Sequence, residues 1–247
     1  MIKTFIIHVS KGYEERRKHI DTHLPERGIT EYEYMLRGDI DDLSDSVRNE
    51  FFADNLTLAQ KSCTYKHYLV MKKVVKERIP QALVLEDDAL LVDGFVEKLA
   101  LLREELTDKR NYIVNIEEAS NSVPWSVRID GQLLYPCKVN KLGGGLFFDL
   151  AFAEKIVTFI ESQIIDAPID GLLGNVRDIV GYNLMWSQPS LVVQGSKNGM
   201  FASELSQEAQ GIAPYLKSLF KDNYRKHVRS HISKKQKMLF IDVKHHD

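Results

Sequence analysis

Apolar and polar positions along the chain fall into alternating short runs and helical stripes. Residues 2–7 are an apolar run that ends at His8, the pattern of a buried first strand, and 14–24, with Arg16, Arg17 and Lys18, follow as a helix. Residues 32–36 alternate as a second strand, and the acidic stretch 39–45 reads as a loop. From 58 to 78 the apolar positions Tyr65, Tyr68, Leu69, Met71, Val74 and Val75 recur at helical spacing, with Pro80 as the stop. Ala82-Leu83-Val84-Leu85 is a short apolar run of the kind that forms a strand buried on both faces. A helix over 95–106, strands over 112–116 and 133–139, a turn at Gly143-Gly144-Gly145 leading into Leu146-Phe147-Phe148, a helix over 151–163 and a late strand over 190–194 complete the pattern. Strands alternating with helices predict an α/β fold around a mostly parallel central sheet.

Composition narrows this picture. The chain has 247 residues, 44% of them apolar, enough for one sizeable core. No run approaches the roughly 18–20 apolar residues of a membrane span, and the first residues lack the layout of a secretory signal. Cys63 and Cys137 are too few for a disulfide framework, so both are expected as reduced thiols in a soluble cytoplasmic protein. The net charge of −2 is uneven. Residues 217–247 hold nine Lys/Arg against three Asp, a balance of +6, which leaves −8 for the rest. The domain expectation is therefore a body over 1–216 and a basic helical tail over 217–247.

The chemistry gathers after the buried run at 82–85. Glu86-Asp87-Asp88 places three carboxylates where a strand leaves the core, and carboxylates are costly to bury alone. Ligands of open α/β sheets bind beyond the carboxyl ends of the strands. Oxygen-rich clusters there suit Mn²⁺ or Mg²⁺, which can bridge a nucleotide's phosphates. If the strand geometry continues, Glu86 and Asp88 share one side and Asp87 turns away, toward backbone or ribose. Asp88 is the expected direct metal ligand, with Glu86 beside it. The alternative is a solvated turn in which Asp88 caps the next segment.

These blocks resemble glycosyltransferase family 25, the bacterial lipooligosaccharide galactosyltransferases and their collagen-modifying relatives. Leu56-Thr57 with Ser62-Cys63-Thr64-Tyr65-Lys66-His67 is similar to the family's Leu-Thr…Cys-x-x-Ser-His helix. Residues 82–89 match its acidic strand, Gly143–Phe148 its glycine turn, Pro168-Ile169-Asp170 its Pro-Val-Asp element, and 189–194 its closing strand. His8-Val9 stands where the family has Asn-Leu, Ala59-Gln60 where it has Gly-Glu, and Lys66 where it has Ser; the Thr and Tyr of the glycine turn are missing. The chain thus reads as a divergent member or a sister family.

The resemblance implies a GT-A-like architecture and transfer of a hexose, by default galactose from UDP-galactose with inversion, onto a glycan of a bacterial surface polysaccharide or lipooligosaccharide. It implies Asp170 as general base, with an N-cap of residues 171–176 as the other reading and Asp166 as a weaker candidate. It places His8, Val9, Arg16, His67, Glu86, Asp87, Gly144 and Gly145 at the donor, and Asp88 and Glu86 on Mn²⁺ or Mg²⁺. Arg17 is a further diphosphate candidate. Cys63 reads as a small core residue, and Gly143–Gly145 either admit a ligand to the backbone or take positive φ. The tail, with a lipid-linked acceptor in view, reads as a contact with the anionic inner membrane face. A solvated helix or an RNA contact are its alternatives, and no nucleic-acid partner is expected. Two other functions compete. One is a metal-dependent phosphotransferase or phosphohydrolase, although no P-loop is present. The other is a nucleotide-sugar or glycan-binding module that has lost its chemistry.

Overall fold

The computed structural model describes residues 2–196, 221 and 223–240. Nine strands follow in chain order: β1 (Lys3–Ile7), β2 (Glu33–Met35), β3 (Gln81–Glu86), β4 (Ala89–Leu91), β5 (Tyr112–Asn115), β6 (Leu134–Pro136), β7 (Gly145–Asp149), β8 (Asn183–Ser187) and β9 (Val192–Gln194). The helices that matter here are α1 (Glu14–Glu26), α2 (Leu58–Glu77), α3 (Phe95–Glu104), α4 (Leu150–Glu161) and α5 (Ile169–Asn175).

Seven strands form one sheet in the order β2-β1-β3-β7-β5-β8-β6. The β1–β2, β1–β3 and β5–β8 pairs are parallel, while β7 and β6 run against the other strands. The expected α/β architecture, a mostly parallel sheet flanked by helices, is present. Alternation along each strand divides the core in two. Ala82 and Val84 of β3, with Phe5, Ile113, Leu146 and Phe148, pack on the side of α2 and α4. Leu83 and Leu85, with Ile6, Val114 and Phe147, pack on the side of α3 and the apolar residues of α1, Ile20 and Leu24. Both faces are covered, which is why β3 reads as an unbroken apolar run.

The helices form for local reasons that also place the site. Thr57 and Gln60 make a reciprocal capping box that starts α2, and Arg78 ends it in the left-handed region at φ 52°. Gln60 therefore does the work expected of a glutamate at its position. In α4, Phe152, Ala153, Ile156, Val157 and Ile160 form one buried stripe, and each large side chain there contributes about 1.5–3 kcal/mol.

The late strand is present outside the main sheet, and two alternative readings need correction. The strand over 190–194 is β9, and it pairs with β4 in a separate two-stranded sheet instead of joining the main one. Gly143–Gly145 are absent from the positive-φ residues, so they are not a left-handed turn. Gly145 already belongs to β7. Asp170 does not cap α5: Pro168 holds the N-cap position and Asp170 lies inside the first turn.

Of the tail, residues 217–220, 222 and 241–247 lie outside the described residues. The described part docks on the body. Phe240 packs edge-on against Trp186 and bridges Cys137, His231 stacks on Trp125 at 3.9 Å, and Lys226 pairs with Glu118 at 2.6 Å. It is helical in short pieces, at 225–229, 230–232 and 234–237.

Candidate functional site

The end of β3 distributes its acids by the strand's own alternation. Glu86 continues the face of Ala82 and Val84 and so turns toward α2; Asp87 continues the face of Leu83 and Leu85 and turns toward α1. The strand stops at Glu86, and Asp87-Asp88 turn the chain into β4. The assumption of strand geometry through Asp88 therefore fails by two residues.

Asp87 is 4% exposed and fully engaged. His8 Nδ1 donates to its Oδ2 at 2.8 Å, and Arg16 Nη1 donates to its Oδ1 at 2.7 Å. Asp87 thus bonds side chains of β1's end and α1 where backbone or ribose was expected. The donor candidates His8, Arg16 and Asp87 form one network, with half-buried Val9 next to it in the chain. Arg17 points elsewhere, over the Tyr34 ring. Beneath the same loops lies Lys66, 1% exposed. Its ammonium donates to the carbonyls of His8 at 2.6 Å, Leu36 at 3.2 Å and Met35 at 3.3 Å, and pairs with Asp39 at 2.7 Å. Burial works to raise the Asp39 carboxyl, and its bonds from Lys66 and Ser10 outweigh that and hold it below the ordinary value.

Asp88 is as deeply buried, at 2% exposed, but half satisfied. Oδ2 accepts from the backbone N–H of Ser196 at 3.1 Å, and Oδ1 has no hydrogen-bond partner among the described residues. Burial first, and then the charge of Glu86, push its carboxyl above the ordinary value. A buried carboxylate with an orphaned oxygen beside a second carboxylate fits a divalent cation: it would neutralise the pair and fill the open valence.

Glu86 faces α2. Its Oε1 lies 3.8 Å from Cys63 Sγ and 3.8 Å from His67 Nε2, and its Oε2 accepts from Gln194 at 3.4 Å. His67, expected at the donor, is wholly buried and neither ring nitrogen has a hydrogen-bond partner. The Cys63 thiol is held protonated by burial, then by the charges of Glu86 and Asp170. Asp170 follows Ile169, whose side chain would meet a Cβ on Gly143 at 3.1 Å. Its Oδ1 accepts from the N–H of Gly171 at 2.9 Å, which fixes the carboxylate at the start of α5. Asp166 is exposed.

The glycines are there for close packing. A Cβ on Gly144 would lie 3.0 Å from Gln194 Nε2 and 3.1 Å from Glu117 Oε2, and one on Gly145 would lie 3.2 Å from Val192. The backbone there approaches protein side chains closely, without a left-handed turn.

Sequence reasoning missed Glu117, Gln194 and Ser196. Glu117 is wholly buried and accepts from the N–H of Gly144 at 2.7 Å. Its signal was present: Tyr112–Ile116, apolar except for Asn115, runs into an acid much as β3 runs into Glu86. Gln194 and Ser196 reach the site only because β9 folds back on β4, a long-range pairing that local pattern does not show.

Comparison with known proteins gives the family. The family model for glycosyltransferase family 25 (LPS biosynthesis protein) matches residues 1–126, a span holding His8, Arg16, Cys63, His67 and Glu86–Asp88. Gly143–Gly145 and Asp170 lie beyond it. No curated protein sequence matches the chain. Among solved structures it is similar to GalNAc-T7 with UDP, GalNAc and Mn²⁺ (10% identity, 90% of this chain, TM-score 0.48); the chain spans 48% of that protein's length. It is also similar to a glycosyltransferase involved in glycosylating the major capsid of PBCV-1 (9%, 92% of this chain and 99% of that one, TM-score 0.46). A third is galactosyltransferase LgtC with donor and acceptor sugar analogs (9%, 95% and 98%, TM-score 0.40).

Proposed function

The chain belongs to glycosyltransferase family 25, and we propose that it moves a hexose, galactose from UDP-galactose, onto a glycan acceptor of a bacterial surface polysaccharide or lipooligosaccharide with inversion of the anomeric centre. The observation that carries this reading is the buried, partnerless Oδ1 of Asp88 beside Glu86.

Asp88 and Glu86 would hold Mn²⁺ or Mg²⁺. Such an ion supplies positive charge for the leaving diphosphate. The chain's own residues do the rest. Arg16, aligned by Asp87, sets a guanidinium at the end of β1, where the donor's phosphates would lie. His8 and Lys66 fix that loop from beneath. Asp170, oriented by Gly171, takes the proton of the acceptor hydroxyl as the new bond forms.

The acceptor is proposed to be lipid-linked, with the protein working at the cytoplasmic face of the membrane. No helix among the described residues is long and apolar enough to cross a membrane. The docked tail instead exposes Tyr224, Val228, Ile232 and Met238 among exposed Arg229, Lys234 and Lys235. Apolar side chains interleaved with cations suit an anionic interface. Flotation with anionic liposomes should recover the full chain and lose it when residues 217–247 are removed; equal recovery of both removes the membrane contact.

A donor screen tests the reaction. UDP-galactose should be hydrolysed slowly with Mn²⁺ and not with EDTA. Release of inorganic phosphate, with no sugar released from any donor, would favour a phosphohydrolase. Donor binding without turnover on any acceptor would favour a lapsed binding module.

A further inference from the structure

Cys63 and His67 are four residues apart on α2 and so share one face of the helix. That face meets the end of β3 at Glu86. Cys63 Sγ, His67 Nε2 and a Glu86 oxygen all lie within 4.8 Å of one another, and both distances to Glu86 Oε1 are 3.8 Å. Ligands about 2.0–2.3 Å from a tetrahedral Zn²⁺ stand roughly 3.3–3.6 Å apart. The two distances to Glu86 Oε1 are thus within a few tenths of an ångström of the spacing such an ion imposes, and the sulfur and imidazole nitrogen lie within 4.8 Å of each other.

The second observation is His67 itself. A wholly buried imidazole with no hydrogen bond to either nitrogen is an expensive arrangement, and its Nε2 is aimed at the carboxylate. Gly143 borders the same space: a Cβ there would press on Ile169 at 3.1 Å and stand in ordinary contact with Glu86 Oε1 at 3.5 Å and His67 Nε2 at 3.6 Å. Glu86 keeps partial exposure, which leaves a path from solvent.

We propose that Cys63, His67 and Glu86 form a site for a borderline-soft divalent metal of the Zn²⁺ class. The donor set, one sulfur, one imidazole nitrogen and one carboxylate, differs in kind from the oxygen ligands that select Mn²⁺ or Mg²⁺. Binding displaces the thiol proton to solvent and forms a metal–thiolate bond. Three protein ligands leave a fourth tetrahedral position for water. Asp88 is not a ligand here, so Asp88→Asn separates this site from the proposed transfer centre. Glu86 is common to both, so a metal held by Cys63 and His67 would also fix a carboxylate of the transfer centre.

Co²⁺ titration of the chelator-treated full chain, with excess Mg²⁺ present, tests this. One equivalent should give an intense thiolate-to-cobalt charge-transfer band with tetrahedral d–d bands, and Zn²⁺ should abolish them. The band should persist in Asp88→Asn and vanish in Cys63→Ser. His67→Gln should weaken Zn²⁺ binding by at least the ~10–100-fold that loss of an outer-shell partner costs. The wild-type spectrum decides alone if a variant fails to fold. No thiolate band in the wild type, a band that survives Cys63→Ser through Cys137, or one lost in Asp88→Asn each overturns the proposal.

Discussion

Asp87 and Asp88 are adjacent and almost equally buried, at 4% and 2% exposed, yet their surroundings are opposite. Asp87 is met by His8 and Arg16 on both oxygens. Asp88 has one backbone N–H and a bare oxygen, beside a second carboxylate that pushes its own charge away. The contrast extends outward. On the α1 side, Lys66 and Asp39 complete a network of paired charges beneath the loops after β1 and β2. On the α2 side, His67 has no partner and the Cys63 thiol faces a carboxylate. Paired buried charge positions the chain; unpaired buried charge awaits something the chain does not supply.

Breaking the paired side should cost stability first. Asp87→Ala removes the buried carboxylate to which both His8 and Arg16 donate, and urea unfolding should show a loss of about 3–5 kcal/mol. Lys66→Met removes the cation from three carbonyls and from a partly exposed Asp39; the expected loss is smaller, about 2–3 kcal/mol, measured the same way. Gly144→Ala tests the packing between the two sides. Its Cβ would press on Gln194 and Glu117, lowering stability by about 1–3 kcal/mol and disturbing the bond from Gln194 to Glu86.

The smallest effect is a pair of opposite titrations. Asp39 is held below the ordinary carboxyl value of 3.8, because the bonds from Lys66 and Ser10 overcome burial. It therefore contributes stability that is present above 3.8 and lost as pH falls through its lower folded value. Asp88 is raised above 3.8 by burial and by Glu86. The metal-free protein loses stability from it as pH rises from 3.8 through the raised value. Carbon-13 carboxyl titration should place the two on opposite sides of 3.8; shifts in the same direction would erase the distinction.

Much of this was legible in the sequence. The apolar run at 82–85 is bounded by the acids that end β3, and the period of two assigns Glu86 and Asp87 to opposite faces before any coordinates exist. Period alone could not show where strand geometry stops, so Asp88's orientation came only from the turn into β4 and the fold-back of β9. His8, Gln60 and Lys66 looked like drift from the family pattern. Each has a partner: Asp87, the Thr57 cap and Asp39. Those compensations join residues far apart in the chain, which local pattern does not reveal. The glycine turn misled for a related reason, since close approach of Glu117, Gln194 and Val192 selects glycine there.

The central claim is that Asp88 is the ligand through which a divalent cation and a nucleotide diphosphate meet. Calorimetric titration of UDP into the wild type and Asp88→Asn, each with Mn²⁺ and with EDTA, tests it most directly. The wild type should bind UDP far more tightly with Mn²⁺. The variant should show no Mn²⁺ enhancement, a transfer rate lower by roughly 100-fold or more, and a metal-free Tm equal to or above the wild type's. Equal Mn²⁺ enhancement in both proteins would contradict the account.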